Sequence, residues 1–148
     1  MQKETFDKLL ESVKKHEGYR NKVYLDTLNK RTVGVGHLCV EDFWEDDKEY
    51  EEKFLMTILE HDLETAIKGA KDLMSENGCM YMDEVAEEII IEMIFQLGKT
   101  GVSKFKNMWK ALSALEYSTA ASEMLDSRWA KQTPNRAQAM SAQMAALG

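Results

Sequence analysis

Apolar residues recur at helical spacing along most of this chain, and that spacing is interrupted near the amino end. The first pattern, with its apolar positions three or four residues apart, predicts an amphipathic helix that Gly18 ends in a left-handed conformation. Its apolar positions are Phe6, Leu9, Leu10 and Val13. Residues 22–38 instead carry β-branched and aromatic residues on both sides of residues 28–30, which predicts a β-hairpin. Gly34 and Gly36 leave one face of its second strand bare, so we expect another group to approach the backbone closely there.

Helical spacing returns after the hairpin and continues to the end of the chain. A pattern from about residue 45 to residue 74 is long enough to connect two lobes. The later helices are predicted at 83–98, 103–115, 119–127 and 134–146. The first of these begins with acidic residues, which suit the helix dipole, and is then almost entirely apolar, which favours a buried helix. Thr133 and Pro134 suit the start of the last helix, and the whole pattern predicts a mostly helical α+β fold.

Composition narrows the classes of function. With 148 residues, 44% of them hydrophobic and 30% charged, the chain is expected to be globular, with one core or two small lobes. Residues 41–92 carry eighteen acidic and four basic side chains, whereas the segments on either side are net positive. We interpret the acidic segment as a solvated helical face. No basic stripe with interleaved aromatic residues occurs, so we expect no nucleic-acid partner.

The sequence also argues against a membrane-spanning protein and against a metal-binding site. No apolar run approaches the roughly 20 residues that a membrane-spanning helix needs. The amino-terminal residues are charged where a signal peptide has its apolar region, so we expect no export by the usual secretion route. Cys39 and Cys79 are predicted to be free thiols. A zinc site at His37 and Cys39 lacks two further ligands at the usual spacing, so we expect neither a metal nor another cofactor.

Two acidic residues near the hairpin are candidates for catalysis. Glu17 lies where the first helix is predicted to end, and the negative end of the helix dipole favours the neutral carboxyl of a proton donor. Asp26 lies in the hairpin among polar strand edges, which suits a base. Two carboxyl groups in contrasting environments are typical of acid–base work on a glycosidic bond. If the turn is centred on Asn29, Thr32 stands opposite Asp26, and the two can hold one water. All three residues are also common in purely structural roles.

Three stretches resemble the phage-type lysozymes, glycoside hydrolase family 24, and they occur in the order found in that family. They are HEGYRNKVYLDTLNKRTVGVGHL at 16–38, FQLGKTGVSKF at 95–105 and SRWAKQTPNR at 127–136. The resemblance implies a single lysozyme-like domain, residues 1–148, with a peptidoglycan-binding cleft between two lobes joined by a long helix. The small β-containing lobe would span about 16–60, and the helical lobe about 61–148 together with the amino-terminal helix.

The resemblance also implies an activity and a set of site residues. The reaction would be hydrolysis of the β-1,4 bond between N-acetylmuramic acid and N-acetylglucosamine, with inversion at the sugar. Glu17 would be the general acid, Asp26 the base or water-orienting group, and Thr32 a ligand of the water. Arg136 would pair with the acid. The substrate-binding positions would be Leu38, Phe95, Met108 and Glu123, where Met108 replaces a small polar residue and Glu123 an asparagine.

Two other functions remain open on the same sequence. A lytic transglycosylase would use a hydroxyl of the sugar in place of water, and the presence of Asp26 and Thr32 argues against it. A non-catalytic peptidoglycan-binding module would not need Glu17. The biological role implied is that of an endolysin, a monomer made in the host cytoplasm that reaches the cell wall with a holin-like helper.

Overall fold

The computed structural model describes all residues, Met1–Gly148. The elements in chain order are α1 (Lys3–Glu17), β1 (Arg20–Leu25), β2 (Arg31–Gly34), β3 (His37–Leu38), α2 (Glu52–Glu76), α3 (Glu84–Ser103), α4 (Lys106–Ser113), α5 (Tyr117–Leu125), α6 (Arg128–Gln132) and α7 (Pro134–Ala145). The predicted α+β fold is confirmed. None of the seven helices combines the length and the apolar character that crossing a membrane requires.

The chain forms two compact units, an amino-terminal unit of Met1–Thr65 and a carboxy-terminal unit of Ala66–Gly148. Helix α2 begins in the first unit and ends in the second, so the predicted long connecting helix is present. The predicted division into lobes at about residue 60, with α1 assigned to the helical lobe, stays a prediction.

The three strands form an antiparallel sheet in the order β1-β2-β3. Tyr24 pairs with Thr32, and the Asp26 N–H donates to the Lys30 carbonyl at 2.9 Å. The prediction of a turn centred on Asn29, with Thr32 opposite Asp26, is therefore wrong by two residues of register. The reason is that Asn29 takes a φ of 66°, which suits the last position of a three-residue hairpin loop rather than its centre.

The core of the amino-terminal unit explains a second difference from prediction. Helix α2 begins at Glu52 and not near residue 45, because the preceding segment packs its aromatic residues against the sheet. Trp44 is buried with Val33, and its ring lies 4.8 Å from that of Tyr50, edge to face. The Tyr50 N–H donates to the Asn21 carbonyl at 2.9 Å. These contacts tie residues 44–50 to the sheet, and α2 begins only after them.

The carboxy-terminal unit is entirely helical, and its central helix is the buried one that the sequence predicts. Helix α3 is N-capped by Asp83, whose Oδ1 accepts from the Val85 N–H at 2.8 Å. Gly98 interrupts it with a non-helical φ of 80° and ψ of 160°, where the sequence predicts the helix to end, and a second helical segment continues to Ser103. Helix α7 begins at Pro134 as predicted, but the Thr133 hydroxyl donates back to the Trp129 carbonyl and closes α6 instead of capping α7. Both cysteines are free thiols, as predicted.

Candidate active site

Glu17 is the last residue of α1, as predicted, and is partly exposed. Gly18 ends the helix with φ 74° and ψ 179°, a combination essentially restricted to glycine. The Glu17 carboxyl lies against the turn between β2 and β3. A Cβ added to Gly36, which has a φ of 66°, would stand 3.1 Å from Glu17 Oε2 and 3.3 Å from its Cδ. The predicted close approach to this glycine is therefore confirmed, and the approaching group is the candidate acid.

Asp26 follows β1 and is fixed by the hairpin turn that it helps to form. Its Oδ1 accepts hydrogen bonds from the Leu28 N–H at 2.8 Å and the Lys30 N–H at 2.9 Å. Oδ2 receives neither of these bonds, and the side chain is partly exposed. One oxygen of the carboxylate thus orients the group, while the other can accept a proton from water.

Thr32 is almost fully buried in β2, at 3% exposure, and its hydroxyl donates to the Lys30 carbonyl at 3.0 Å. Its partner in the sheet, Tyr24, lies two residues before Asp26. Because side chains alternate along a strand, Thr32 and Asp26 are expected on the same face of the hairpin, offset diagonally. Since the hydroxyl hydrogen is used by Lys30, Thr32 Oγ1 can act towards a water only as an acceptor.

Tyr24 is paired with Thr32 in the sheet and is a further residue of the site that no sequence motif indicates. Burial raises the pKa of its phenol, the Arg20 guanidinium 4.4 Å above its ring lowers it, and the charges of Glu17 and Asp26 each raise it. Alternation along β1 places Tyr24 on the face of Asp26, which is the only sequence signal that points to it.

His37, at the start of β3, belongs to a hydrogen-bonded chain that the sequence analysis also missed. Its Nδ1 lies 2.7 Å from Asp62 Oδ2, and its Nε2 lies 2.8 Å from Glu41 Oε1. The Trp44 indole N–H donates to the same Glu41 oxygen at 2.7 Å. The bond to Asp62 raises the pKa of His37 to about 9, with Glu41 adding to the shift and burial opposing it. Asp62 is 25 residues away along the chain, so the local sequence gives no sign of this pairing.

The hydrogen bonds of His37 make the stability of the protein depend on pH. Because the folded-state pKa of His37 lies above its ordinary value of 6.5, its contribution is complete below that value and disappears as pH rises through about 9. Hydrogen bonds from Trp44 and His37 lower the pKa of Glu41, whose contribution is therefore lost at acidic pH. We expect the melting temperature to fall by roughly 5–10 °C from His37 alone between neutral and alkaline pH. Thermal unfolding of wild type and Asp62→Asn across that range checks this, and equal losses in both would contradict it.

The residues predicted to contact substrate are distributed over both units. Leu38 lies in β3 opposite Thr32 and is 42% exposed, and Phe95 lies in α3, half-buried. Met108 is fully buried and Glu123 half-buried, and the structure brings these two together. They line one pocket of about 260 Å³ in the carboxy-terminal unit. The other residues lining it are Lys104, Phe105, Lys106, Asn107, Asp126 and Ser127.

Arg136 lies in the first turn of α7, with its side chain 10% exposed. One of its guanidinium nitrogens, Nη2, lies 3.9 Å from Glu92 Oε1. Its predicted role as the partner of the acid stays a prediction.

The chain matches known proteins over most of its length. The family model described as phage lysozyme matches residues 14–146. "Probable T4-type lysozyme 2" of Dictyostelium discoideum is 27% identical over 152 aligned residues, covering 86% of this chain and 88% of that protein. "Probable T4-type lysozyme 1" of the same organism is 29% identical, covering 84% and 85%. "Pre-baseplate central spike protein Gp5" of Enterobacteria phage T4 is 28% identical over 87% of this chain but only 26% of its own length.

Proposed function

This chain belongs to the phage lysozyme family and is a glycosidase of the lysozyme type, and from that membership we propose that it cleaves one particular bond of peptidoglycan. The bond is the β-1,4 linkage between N-acetylmuramic acid and N-acetylglucosamine, and cleavage inverts the configuration of the anomeric carbon. The observation that supports the assignment of roles is that the Glu17 carboxyl lies against Gly36 of the small sheet, whose first hairpin carries Asp26 and Thr32. Two carboxyl groups acting on one glycosidic bond are the minimum that such hydrolysis requires.

Glu17 acts as the general acid. It donates its proton to the oxygen of the departing sugar as the glycosidic bond breaks. The carboxyl can lie beside the turn because Gly36, which has no Cβ, leaves room for it there. No covalent bond to the enzyme forms in this scheme.

Asp26 and Thr32 hold the attacking water. The water donates one hydrogen to Asp26 Oδ2 and the other to Thr32 Oγ1, because the threonine hydrogen is already used by the Lys30 carbonyl. Both donations leave a lone pair of the water oxygen free to attack the anomeric carbon. As the new bond forms, Asp26 accepts the proton from the water.

Sugar units of the glycan contact Leu38, Phe95 and Glu123 in this proposal, whereas Met108, at 1% exposure, lines the pocket from within the core. Met108 supplies an apolar floor to the pocket of the carboxy-terminal unit, and Glu123 supplies a carboxylate there that can accept hydrogen bonds from sugar hydroxyls or amides. The pocket therefore offers an apolar surface with a few polar groups, the usual composition of a ligand site.

The biological role that we propose is that of an endolysin. The enzyme acts as a monomer on the cell wall and reaches it from the host cytoplasm through a holin-like helper. Expression in a susceptible host tests this role, since lysis should require co-expression of a holin. Lysis without any helper would contradict it.

The stereochemistry of the product tests the proposed mechanism. Proton NMR during the first minutes of hydrolysis should show the α anomer of the new reducing end before mutarotation produces the β anomer. Initial release of the β anomer would overturn the inverting scheme and make Asp26 a nucleophile, which a glycosyl adduct seen by mass spectrometry would then identify.

A further inference from the structure

Four side chains of the amino-terminal unit form a continuous hydrogen-bonded chain, which we call the His37 clamp: Asp62, His37, Glu41 and Trp44. Asp62 belongs to α2, His37 to β3, and the other two to the segment between β3 and α2. His37 is only 13% exposed and Trp44 only 5%, whereas the side chains of Asp62 and Glu41 are 25% and 38% exposed. The clamp therefore joins three parts of the unit through one imidazole ring.

The geometry fixes the number of protons on His37. Both ring nitrogens lie within 2.8 Å of a carboxylate oxygen. A neutral imidazole has one N–H and can donate to only one of them, whereas the imidazolium ion donates to both. The charged groups that face the ring are Asp62 from α2 and Glu41 from the segment after β3, and Trp44 packs beside the ring at 5.7 Å. Loss of one proton would leave a ring lone pair facing a carboxylate, so one of the two bonds must break.

The central residue of the clamp, His37, directly follows the turn that lies beside the proposed acid. His37 follows Gly36 in the chain and pairs with Val33, so only Val35 and Gly36 lie between the two paired strands. Gly36 is the residue whose backbone packs against the Glu17 carboxyl. Because this turn is so short, movement of His37 would also displace Gly36, whose backbone lies against the Glu17 carboxyl.

We propose that the His37 clamp positions the catalytic acid, by holding the turn of Val35 and Gly36 against the Glu17 carboxyl, and that hydrolysis slows when His37 cannot bridge both carboxylates. The inference rests on the proposed role of Glu17 as general acid. Asp62, His37, Glu41 and Trp44 are positioning residues in this view and do not touch the substrate. They keep the Glu17 carboxyl correctly oriented. Misplacement of a catalytic group by about 1 Å can lower the rate on the order of 10²-fold.

Kinetics of two isosteric variants test the inference. Asp62→Asn and Glu41→Gln each remove one charge of the clamp, and each should lower kcat about tenfold with KM little changed. In wild type, the logarithm of kcat should show a step of about one unit on the alkaline side as His37 loses its proton, because the clamp is worth about tenfold in rate. This step should be centred near pH 9 in wild type and at lower pH in both variants.

Asp72→Asn is the matched control. Asp72 also lies on α2 and also forms an ion pair, with its Oδ2 3.1 Å from Lys99 Nζ, but it has no part in the clamp. This variant should keep the kcat and the pH profile of wild type. Gly36→Ala is the complementary test, because its Cβ would press on the Glu17 carboxyl directly. It should lower kcat although both carboxylates that bind His37 are retained.

A spectroscopic measurement decides the inference without relying on activity. With the glutamate side-chain carboxyls labelled with ¹³C, the Glu17 resonance should shift at the pH where the His37 ring titrates, and Asp62→Asn should move both changes together. A folded Asp62→Asn variant with wild-type kcat and pH profile, and a Glu17 resonance indifferent to His37, would overturn the inference. If Asp62→Asn does not fold, Glu41→Gln and the wild-type titration give the same decision. An active Glu17→Gln variant would instead refute the proposed function, while the resonance would still report on the clamp.

Discussion

We expect the Glu17→Gln variant to hydrolyse peptidoglycan ~10²–10⁴ times more slowly than wild type. Glutamine has nearly the same shape as glutamic acid and fits the same space beside Gly36, but its amide cannot donate a proton to the departing oxygen. The loss should therefore appear in kcat, with little change in the melting temperature. Initial rates of turbidity loss of purified cell walls, with thermal unfolding of the same samples, give both quantities.

Glu11→Gln is the matched control for this experiment. Glu11 lies on the same helix, two turns before Glu17, and is exposed. The same chemical change there should leave the rate within the scatter of wild type. A Glu17→Gln variant that clears walls at nearly the wild-type rate would show that Glu17 has a structural role only.

The second large effect is expected for Asp26→Asn. The asparagine Oδ1 can still accept from the Leu28 and Lys30 N–H groups, so the hairpin turn should survive. Its amide nitrogen replaces Oδ2, however, and can no longer accept a proton from water. We expect turnover to fall by at least ~10²-fold through loss of the base, with a melting temperature close to that of wild type. Kinetics on cell walls and thermal unfolding check the two halves of this expectation.

Asp26→Ala separates the two functions of the same carboxylate. It removes both the acceptor of the backbone N–H groups and the base, so it should lose activity and also about 1–2 kcal/mol of unfolding free energy. If Asp26→Asn stays active while Asp26→Ala is destabilised, Asp26 is a turn-forming residue and the proposed base lies elsewhere.

Much of the site's framework follows from local sequence, because its causes are local. The apolar spacing before Gly18 is enough to place Glu17 at the end of α1, and the two glycines after Thr32 are enough to predict a close approach. The identity of the approaching group could not be predicted, since it depends on how α1 packs against the sheet. The hairpin register could have been predicted only by knowing that Asn29 adopts a positive φ at the last position of the loop.

The features that local sequence could not provide depend on contacts between distant residues. The His37 clamp joins β3 to a residue of α2 that is 25 positions away, and no spacing rule connects the two. The late start of α2 has the same origin, because packing Trp44 and Tyr50 in the core of the unit stabilises the fold more than a longer helix would. Helical propensity is a weak preference that such packing routinely overrides.

The most direct test of the proposed chemistry is the structure of the glycan ends that the enzyme produces. Purified peptidoglycan is digested with wild type and with Glu17→Gln, and the muropeptides are analysed by mass spectrometry. Hydrolysis by the acid and base proposed here predicts reducing N-acetylmuramic acid ends with wild type and intact glycan with the variant. Ends carrying 1,6-anhydro-N-acetylmuramic acid would contradict this account and indicate a transglycosylase, and intact glycan with wild type would indicate a binding module.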